Sequence, residues 1–136
     1  MSTEKIQFEV VAGIIIKEHK ILMCRSRGNE LYYCPGGKLE PGESEIDAII
    51  RECKEEIDID LIPESIKKHC CFEAEAYGFS EPRTVVMNCY QFQYTGEIKA
   101  SAEIDDVFWA SSKDSERLAP AARVLLDRLI NDSLVL

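Results

Sequence analysis

The amino-acid sequence predicts an α/β fold in which strands and helices pack as an α/β/α sandwich. Two segments have the apolar spacing of amphipathic helices, one in the middle of the chain and one near its C-terminus. Several shorter segments are rich in β-branched and aromatic residues, which favours strands. Strands mixed with helices that are far apart in sequence favour helices on both faces of a sheet. Since the 136 residues contain no repeat or linker, residues 1–136 are predicted to form a single domain.

The N-terminal part of the chain predicts strands joined by polar turns. Residues 8–16 (FEVVAGIII) form an apolar run typical of a buried strand. The polar turn KEHK separates this run from a returning strand, ILMCRSR. The segment LYYCPGG then predicts a short strand that ends in a Pro-Gly-Gly loop, and EPGES predicts a second turn.

The first helix is predicted to begin after Ser44 and to end near Ile57. Ser44 is a favourable N-cap, with Asp47 three residues further on. The expected buried stripe follows the helical spacing i, i+3, i+4, i+7, i+11 and consists of Ile46, Ile49, Ile50, Cys53 and Ile57. At about 100° per residue, Glu52 and Glu56 lie at one edge of this stripe, where their carboxylates would be half-sheltered.

The rest of the chain predicts three strands and a second amphipathic helix, at residues 69–77, 84–94, 105–111 and 118–129. Phe108 and Trp109 are interpreted as core residues of the third strand. His19 and His69 have no partner at the spacing of metal ligands, so both are expected at the surface.

Composition limits the kinds of partner. A net charge of −9 provides no basic surface for nucleic acid or for an anionic membrane, so we expect neither partner. The longest apolar run, VVAGIII, is too short to span a bilayer, and MSTEKIQFEV lacks the pattern of a signal peptide. Without a C-x-x-C spacing, the six cysteines are expected to be reduced and structural in a cytoplasmic protein, with Cys70 and Cys71 alternating across a strand.

Three glutamates, Glu52, Glu55 and Glu56, lie within two turns of the first helix. Carboxylates four residues apart on a helix repel each other by about 0.2–0.5 kcal/mol per pair. A divalent cation would offset this repulsion, whereas the plain alternative is a solvated helix face. Arg51, four residues before Glu55, can pair with it.

Around this cluster the sequence resembles the Nudix hydrolase family. The family signature is Gly, five residues, Glu, seven residues, Arg-Glu, an aliphatic residue, any residue, Glu-Glu, any residue, Gly and an aliphatic residue. The corresponding positions here are Gly37, Glu43, Arg51, Glu52, Cys53, Glu55, Glu56, Asp58 and Ile59. Cys53 replaces an aliphatic residue with another small hydrophobe. Asp58 replaces the glycine that ends the helix, where positive φ is common, so we expect it to affect stability more than chemistry.

The resemblance implies a mixed sheet between the two helices and an Mg²⁺-dependent enzyme, with Mn²⁺ as the alternative ion. Such enzymes hydrolyse a nucleoside triphosphate, or a nucleoside diphosphate linked to another group. The implied metal ligands are the Gly36 carbonyl, Glu52, Glu55, Glu56 and Glu103, with Glu97 as the alternative to Glu103. Among the implied catalytic residues Glu52 is the general base, Arg51 orients the carboxylates and Glu55 completes the cluster. Glu43 braces the loop against the helix, and the candidates for substrate binding are Arg25, Arg27 and Lys38.

The substrate expected from the short, MutT-like layout is a nucleoside triphosphate or a related small nucleotide. Ala122 stands where MutT-type enzymes place a base-reading asparagine, so we expect no strong preference for an oxidised guanine base. Tyr77 is near the position of a tyrosine in dinucleoside polyphosphate hydrolases, which keeps that class open, as are ADP-ribose and nucleotide sugars. Two further alternatives are a non-catalytic nucleotide-sensing module and a metal-buffering acidic protein. A homodimer also stays open.

Overall fold

The computed structural model describes residues 6–76 and 83–136. Over these ranges the chain forms nine strands: β1 (Ile6–Ile14), β2 (Ile16–Lys17), β3 (Lys20–Ser26), β4 (Gly36–Lys38), β5 (Asp60–Leu61), β6 (Lys67–Glu75), β7 (Arg83–Gln91), β8 (Tyr94–Thr95) and β9 (Ile104–Ala110). The same ranges contain two α-helices, α1 (Glu45–Ile57) and α2 (Pro120–Asn131), and two short 3₁₀ segments, Pro63–Ser65 and Ser112–Arg117. None of these helices is long and apolar enough to cross a membrane.

The largest sheet has the strand order β4-β1-β7-β6 and is mixed. Strands β1 and β7 run parallel over their whole length, from the pair Ile6–Arg83 to the pair Ile14–Gln91. The outer strands β4 and β6 are antiparallel to their neighbours. Two smaller sheets, β2-β3-β9 and β5-β8, complete the described strands.

Two apolar clusters lie on opposite faces of the large sheet, because successive side chains of a strand point to opposite faces. On one face, Ala12 of β1 packs in the cluster that contains Leu125 and Leu129 of α2. On the other face, Val11 packs in the cluster that contains Ile49 of α1. The sheet therefore lies between the helices, which confirms the predicted α/β/α sandwich.

Helix α1 begins and ends close to where its sequence predicts. The Ser44 hydroxyl accepts a hydrogen bond from the Asp47 amide at 3.1 Å, which caps the first turn. At the other end Asp58 adopts the left-handed conformation with φ 56° and ψ 39°. The predicted buried stripe is wrong at one position: Ile46, in the first turn, is 40% exposed, whereas Ile49 is fully buried.

The predicted strand at LYYCPGG is displaced in the structure. Tyr32 and Tyr33 make only isolated bridges, and the strand β4 is formed by the glycines themselves, Gly36–Lys38. A Cβ on Gly36 would lie 1.9 Å from the Val11 carbonyl oxygen, and Gly36 has a φ of 151°, so this pairing requires glycine. The loop predicted from Pro-Gly-Gly is therefore an edge strand that runs against β1.

Several other sequence predictions differ from the structure in smaller ways. Helix α2 begins at Pro120 rather than at 118, because proline is well suited to the first helical turn. Phe108 and Trp109 are only partly buried and pack against opposite clusters.

His19 is exposed, but His69 is half-buried and its Nε2 lies 2.9 Å from an Asp132 carboxylate oxygen. All six cysteines are free, with Cys71 exposed and the other five buried. Tyr77 lies outside the described residues.

Candidate active site

Strand β4 brings two glycines against the glutamate face of α1. The Gly36 amide donates a hydrogen bond to Glu56 Oε1 at 2.7 Å. A Cβ on Gly37 would lie 2.9 Å from the carboxyl carbon of Glu52, closer than real contacts allow. Gly37 thus lets the β4 backbone approach the Glu52 carboxylate, while Gly36 allows the close pairing with β1 and its amide contacts Glu56.

Arg51 is the centre of a hydrogen-bond network that ties the loop after β4 to α1. Its guanidinium contacts both carboxylate oxygens of Glu43 at 2.8 Å, a bidentate pair, and lowers the pKa of Glu43 to about 2. It also donates to Glu52 Oε1 at 2.7 Å and lies 3.5 Å from Glu55. The Lys38 carbonyl accepts a further bond at 3.2 Å. Arg51 therefore fixes one oxygen of Glu52, while the more exposed Glu55 is held only by the longer contact.

The carboxylates of this cluster carry more negative charge than the surrounding cations neutralise. Burial raises the pKa of Glu56 to about 8; the Gly36 amide opposes this rise, and the charges of Glu52, Glu103 and Glu55 add to it. Burial also raises the pKa of Glu52, against the effect of Arg51. A buried carboxylate with a raised pKa, beside other acids in a cleft, is a candidate functional group.

The donor set fits a hard divalent cation, which prefers carboxylate oxygens. Hydrogen bonds to Arg51 and Gly36 engage one oxygen each of Glu52 and Glu56. Among the described residues, no three acidic, histidine or cysteine side chains already converge as a metal site. The side chains predicted to hold the ion are Glu52, Glu55, Glu56 and Glu103, and this ligand set stays a prediction. The Gly36 amide contacts Glu56. The binding of the metal by the Gly36 carbonyl stays a prediction.

The two candidates for the distal acid differ in position. Glu103 is close enough for its charge to raise the pKa of Glu56, whereas Glu97 is not among the groups that act on that carboxyl. The carbonyl of Glu103 accepts a hydrogen bond from the Arg27 amide at 2.8 Å, which ties this loop to the end of β3. The structure therefore places Glu103 at the cluster, and its binding of metal stays a prediction.

The three cations proposed for substrate binding do not converge. The Arg25 side chain is bonded to Asp105 at 3.1 Å and lies over the Tyr32 ring. Arg27 is exposed and joins the site only through its backbone. Lys38 is placed best, since its ammonium lies 4.6 Å from the centre of the Phe8 ring, which lines the neighbouring cleft.

That cleft has a volume of about 290 Å³ and lies between the large sheet and the start of α2. Its lining is mostly apolar and includes Phe8, Val10, Val85, Met87 and Ala122. Gly36 and Gly37 line it as well, so the cleft adjoins the carboxylate cluster across β4. Ser26 and Tyr33 also line it, and their hydroxyl groups are hydrogen-bonded to each other.

Sequence reasoning did not identify Ser26, Tyr33 or Phe8 as site residues. Each comes from a separate segment, and only the folded sheet brings the three together. The one local signal was the position of Tyr33, three residues before the first glycine of Pro-Gly-Gly.

Comparison with known proteins decides the family. The family model described as NUDIX domain matches residues 7–129. The chain belongs to the Nudix family. It is 31% identical to the CTP pyrophosphohydrolase of Escherichia coli (strain K12) over 127 residues, which cover 88% of each protein. This Nudix protein is accordingly an enzyme, a hydrolase of phosphoric anhydrides, rather than a non-catalytic module or a metal buffer.

Solved structures agree on the fold. The solution structure of the E. coli ORF135 protein matches with a TM-score of 0.73 at 28% identity, covering 93% of this chain and 91% of that one. A structure of MutT, from Aliivibrio salmonicida or Vibrio cholerae, matches with a TM-score of 0.70 at 22% identity. It covers 93% of this chain and 98% of that one, and at this identity it shows the shared MutT-like fold.

Proposed function

We propose that this Nudix hydrolase is a divalent-metal-dependent pyrophosphohydrolase of nucleoside triphosphates, with CTP among its substrates. The observation that carries the proposal is the adjacency of an acidic cluster and an apolar cleft, which share Gly36 and Gly37. A nucleotide has a matching layout, with a flat aromatic base at one end, whose faces can pack on apolar side chains, and an anionic phosphate chain at the other. The match to the E. coli CTP pyrophosphohydrolase supports the choice of CTP as the first substrate to test.

The residues of the carboxylate cluster have different roles in the proposed reaction. A bound Mg²⁺ would neutralise the phosphate oxygens and lower the pKa of a water molecule. Glu52, Glu55, Glu56 and Glu103 would supply oxygens to hold the cation, and Glu52 would also accept the proton of the attacking water. Arg51 donates a hydrogen bond to Glu52 Oε1 at 2.7 Å. Arg51 therefore orients the second oxygen of that carboxylate and does not itself contact the substrate. Glu43 in turn fixes Arg51 through both of its oxygens.

The cleft supports broad acceptance of bases. Ala122 is 1% exposed and lines the cleft, so its position offers a methyl group in place of an amide. An apolar pocket separates close analogues by only about 1–3 kcal/mol, whereas hydrogen bonds to a base discriminate much more steeply. We therefore expect the enzyme to hydrolyse oxidised and normal dGTP at similar efficiencies.

The test is a comparison of kcat/KM in Mg²⁺ over CTP, dGTP, oxidised dGTP, ADP-ribose and diadenosine polyphosphates, with the product nucleotides separated and quantified by chromatography as the readout. The expected result is hydrolysis of triphosphates, with oxidised dGTP and dGTP within about 100-fold of each other. A preference above about 1,000-fold for oxidised dGTP, roughly 4 kcal/mol, would contradict the broad cleft. A similar margin for ADP-ribose or a dinucleoside polyphosphate would assign the enzyme to that class instead.

A further inference from the structure

Ser26 and Tyr33 both line the cleft, and their hydroxyl groups are hydrogen-bonded to each other. Ser26 is the last residue of β3. Tyr33 is held beside that strand by reciprocal backbone hydrogen bonds with Cys24, at 2.7 and 2.8 Å. Both side chains are half-buried. The pair is therefore preorganised by backbone contacts on both of its members.

The pair lies between the apolar cleft and the carboxylate cluster. Along the chain, Tyr33 is three residues from Gly36, which lines the same cleft and bonds to Glu56. From the other side, Arg27, next to Ser26, is bonded through its backbone to Glu103. Burial raises the pKa of Tyr33 to about 12, and the negative charges of Glu56 and Glu103 contribute to this rise. The hydrogen bond to Ser26 acts in the opposite direction and lowers this pKa. The phenol is thus protonated and close to the acidic end of the site.

The hydrogen-bonding capacity of the pair suits a hydroxyl ligand. Two hydroxyls offer two donors and several acceptor lone pairs, and their mutual bond uses one donor and one lone pair. One O–H donor and free lone pairs stay available to the cleft. A sugar hydroxyl both donates and accepts, so it can use both kinds of group.

We propose that the Ser26–Tyr33 hydroxyl pair binds the ribose 2′-hydroxyl and makes the enzyme favour ribonucleotides over deoxyribonucleotides. This inference rests on the proposed function. In a nucleotide the sugar joins the base to the phosphates. With phosphates at Glu52 and Glu56 and the base near Met87 and Ala122, the sugar lies beside the hydroxyl pair.

The experiment measures the ratio of kcat/KM for CTP over dCTP, and for ATP over dATP. It uses the wild type, Tyr33→Phe, Ser26→Ala and the double variant. Tyr94→Phe is the matched control, because Tyr94 is a half-buried tyrosine on β8 outside the cleft lining. A ratio taken within one variant cancels any general loss of active protein. Thermal unfolding checks that each variant is folded, and Ser26→Ala keeps the test open should Tyr33→Phe misfold.

In the wild type the ratio should be about 10 or more, since one neutral hydrogen bond corresponds to about a tenfold change. Each single variant should bring the ratio close to 1, mainly by losing activity on the ribonucleotide. The double variant should lose no more than either single one, because the hydroxyls act as a unit. The Tyr94→Phe control should keep the wild-type ratio.

Two results would overturn the inference. A wild-type ratio near 1, or an unchanged ratio in folded Tyr33→Phe and Ser26→Ala, with normal hydrolysis of triphosphates, would reject ribose binding and leave the proposed function intact. A shift in the ratio of CTP to ATP alone would assign the pair to the base and reject ribose binding too. If the wild type hydrolysed no nucleoside triphosphate, both the inference and the proposed function would fail.

Discussion

At the scale of single residues, the fold changes the chemistry of the Glu56 carboxyl group. Its carboxyl has a pKa of about 8, raised from an ordinary value of 4.5, because burial disfavours the charged form and three neighbouring acids repel it. Between these two values the folded state holds a proton that the unfolded state releases. The contribution of Glu56 to the free energy of unfolding is therefore fully present below pH 4.5 and is lost as the pH rises through about 8.

This pKa predicts a pH dependence that metal should remove. In EDTA, the melting temperature of the wild type should fall further between about pH 6 and about pH 9 than that of Glu56→Gln, which cannot ionise. Saturating Mg²⁺ should reduce the wild-type fall, because a bound cation favours the ionised carboxylate. Differential scanning fluorimetry on both proteins, with and without Mg²⁺, measures these slopes. Equal slopes for the wild type and Glu56→Gln in EDTA would contradict the role of Glu56.

The residues of the carboxylate network could be anticipated because they are close in sequence. Arg51, Glu52 and Glu55 occupy adjacent turns of one helix, so their proximity follows from helical spacing alone. The partner of Arg51 on the preceding loop, Glu43, came from the family signature. By contrast, the ion pair of Arg25 could not be predicted from the sequence, because its partner Asp105 lies 80 residues away on β9.

At the level of elements, the end of α1 carries a local strain. Asp58 ends the helix with positive φ, a conformation that costs a residue with a Cβ about 1–2 kcal/mol. Aspartate tolerates it better than most residues, and the Asp58 carboxylate gains an ion pair with Lys54 at 3.1 Å. Since that pair is exposed, its contribution to stability is small.

Replacement of Asp58 by glycine should therefore be neutral or stabilise the protein by up to about 1 kcal/mol. Activity should be unchanged, because Asp58 lies outside the carboxylate network around Arg51. Urea denaturation of Asp58→Gly measures the free energy of unfolding. Asp58→Ala is the matched control, and we expect it to be less stable than the wild type because alanine keeps the Cβ without the ion pair. Lower activity of a folded Asp58→Gly would place Asp58 in the site.

Elements with local signals were predictable, whereas those defined by distant pairing were not. Helix α1 has its cap at Ser44 and its apolar stripe within one segment, and it forms where predicted. Strand β4 has no such signal, because its register is set by β1, about 25 residues earlier, and by the space that Gly36 leaves for Val11. Without knowledge of the pairing with β1, Pro-Gly-Gly is predicted to be a loop.

At the level of the whole molecule, the sandwich places two different surfaces side by side. The α1 face supplies the acids, the α2 face supplies the apolar cleft, and β4 at the edge of the sheet contributes to both. The family signature predicts only the first surface, because its residues belong to one continuous segment. The cleft combines residues from six separate stretches of chain, from Phe8 to Ala122, so no local pattern in the sequence outlines it.

The central claim is that the carboxylate cluster uses a divalent cation to hydrolyse nucleoside triphosphates. Its most direct test is the rate of CTP hydrolysis as a function of Mg²⁺ concentration for the wild type, Glu56→Gln and Glu97→Gln. Glu97 is an exposed acid in the segment between β8 and β9, so Glu97→Gln is the control for a lost carboxylate. We expect turnover by the wild type and Glu97→Gln that saturates in millimolar Mg²⁺ and stops in EDTA, and a folded Glu56→Gln without turnover. Full activity in EDTA, or in Glu56→Gln, would contradict the claim.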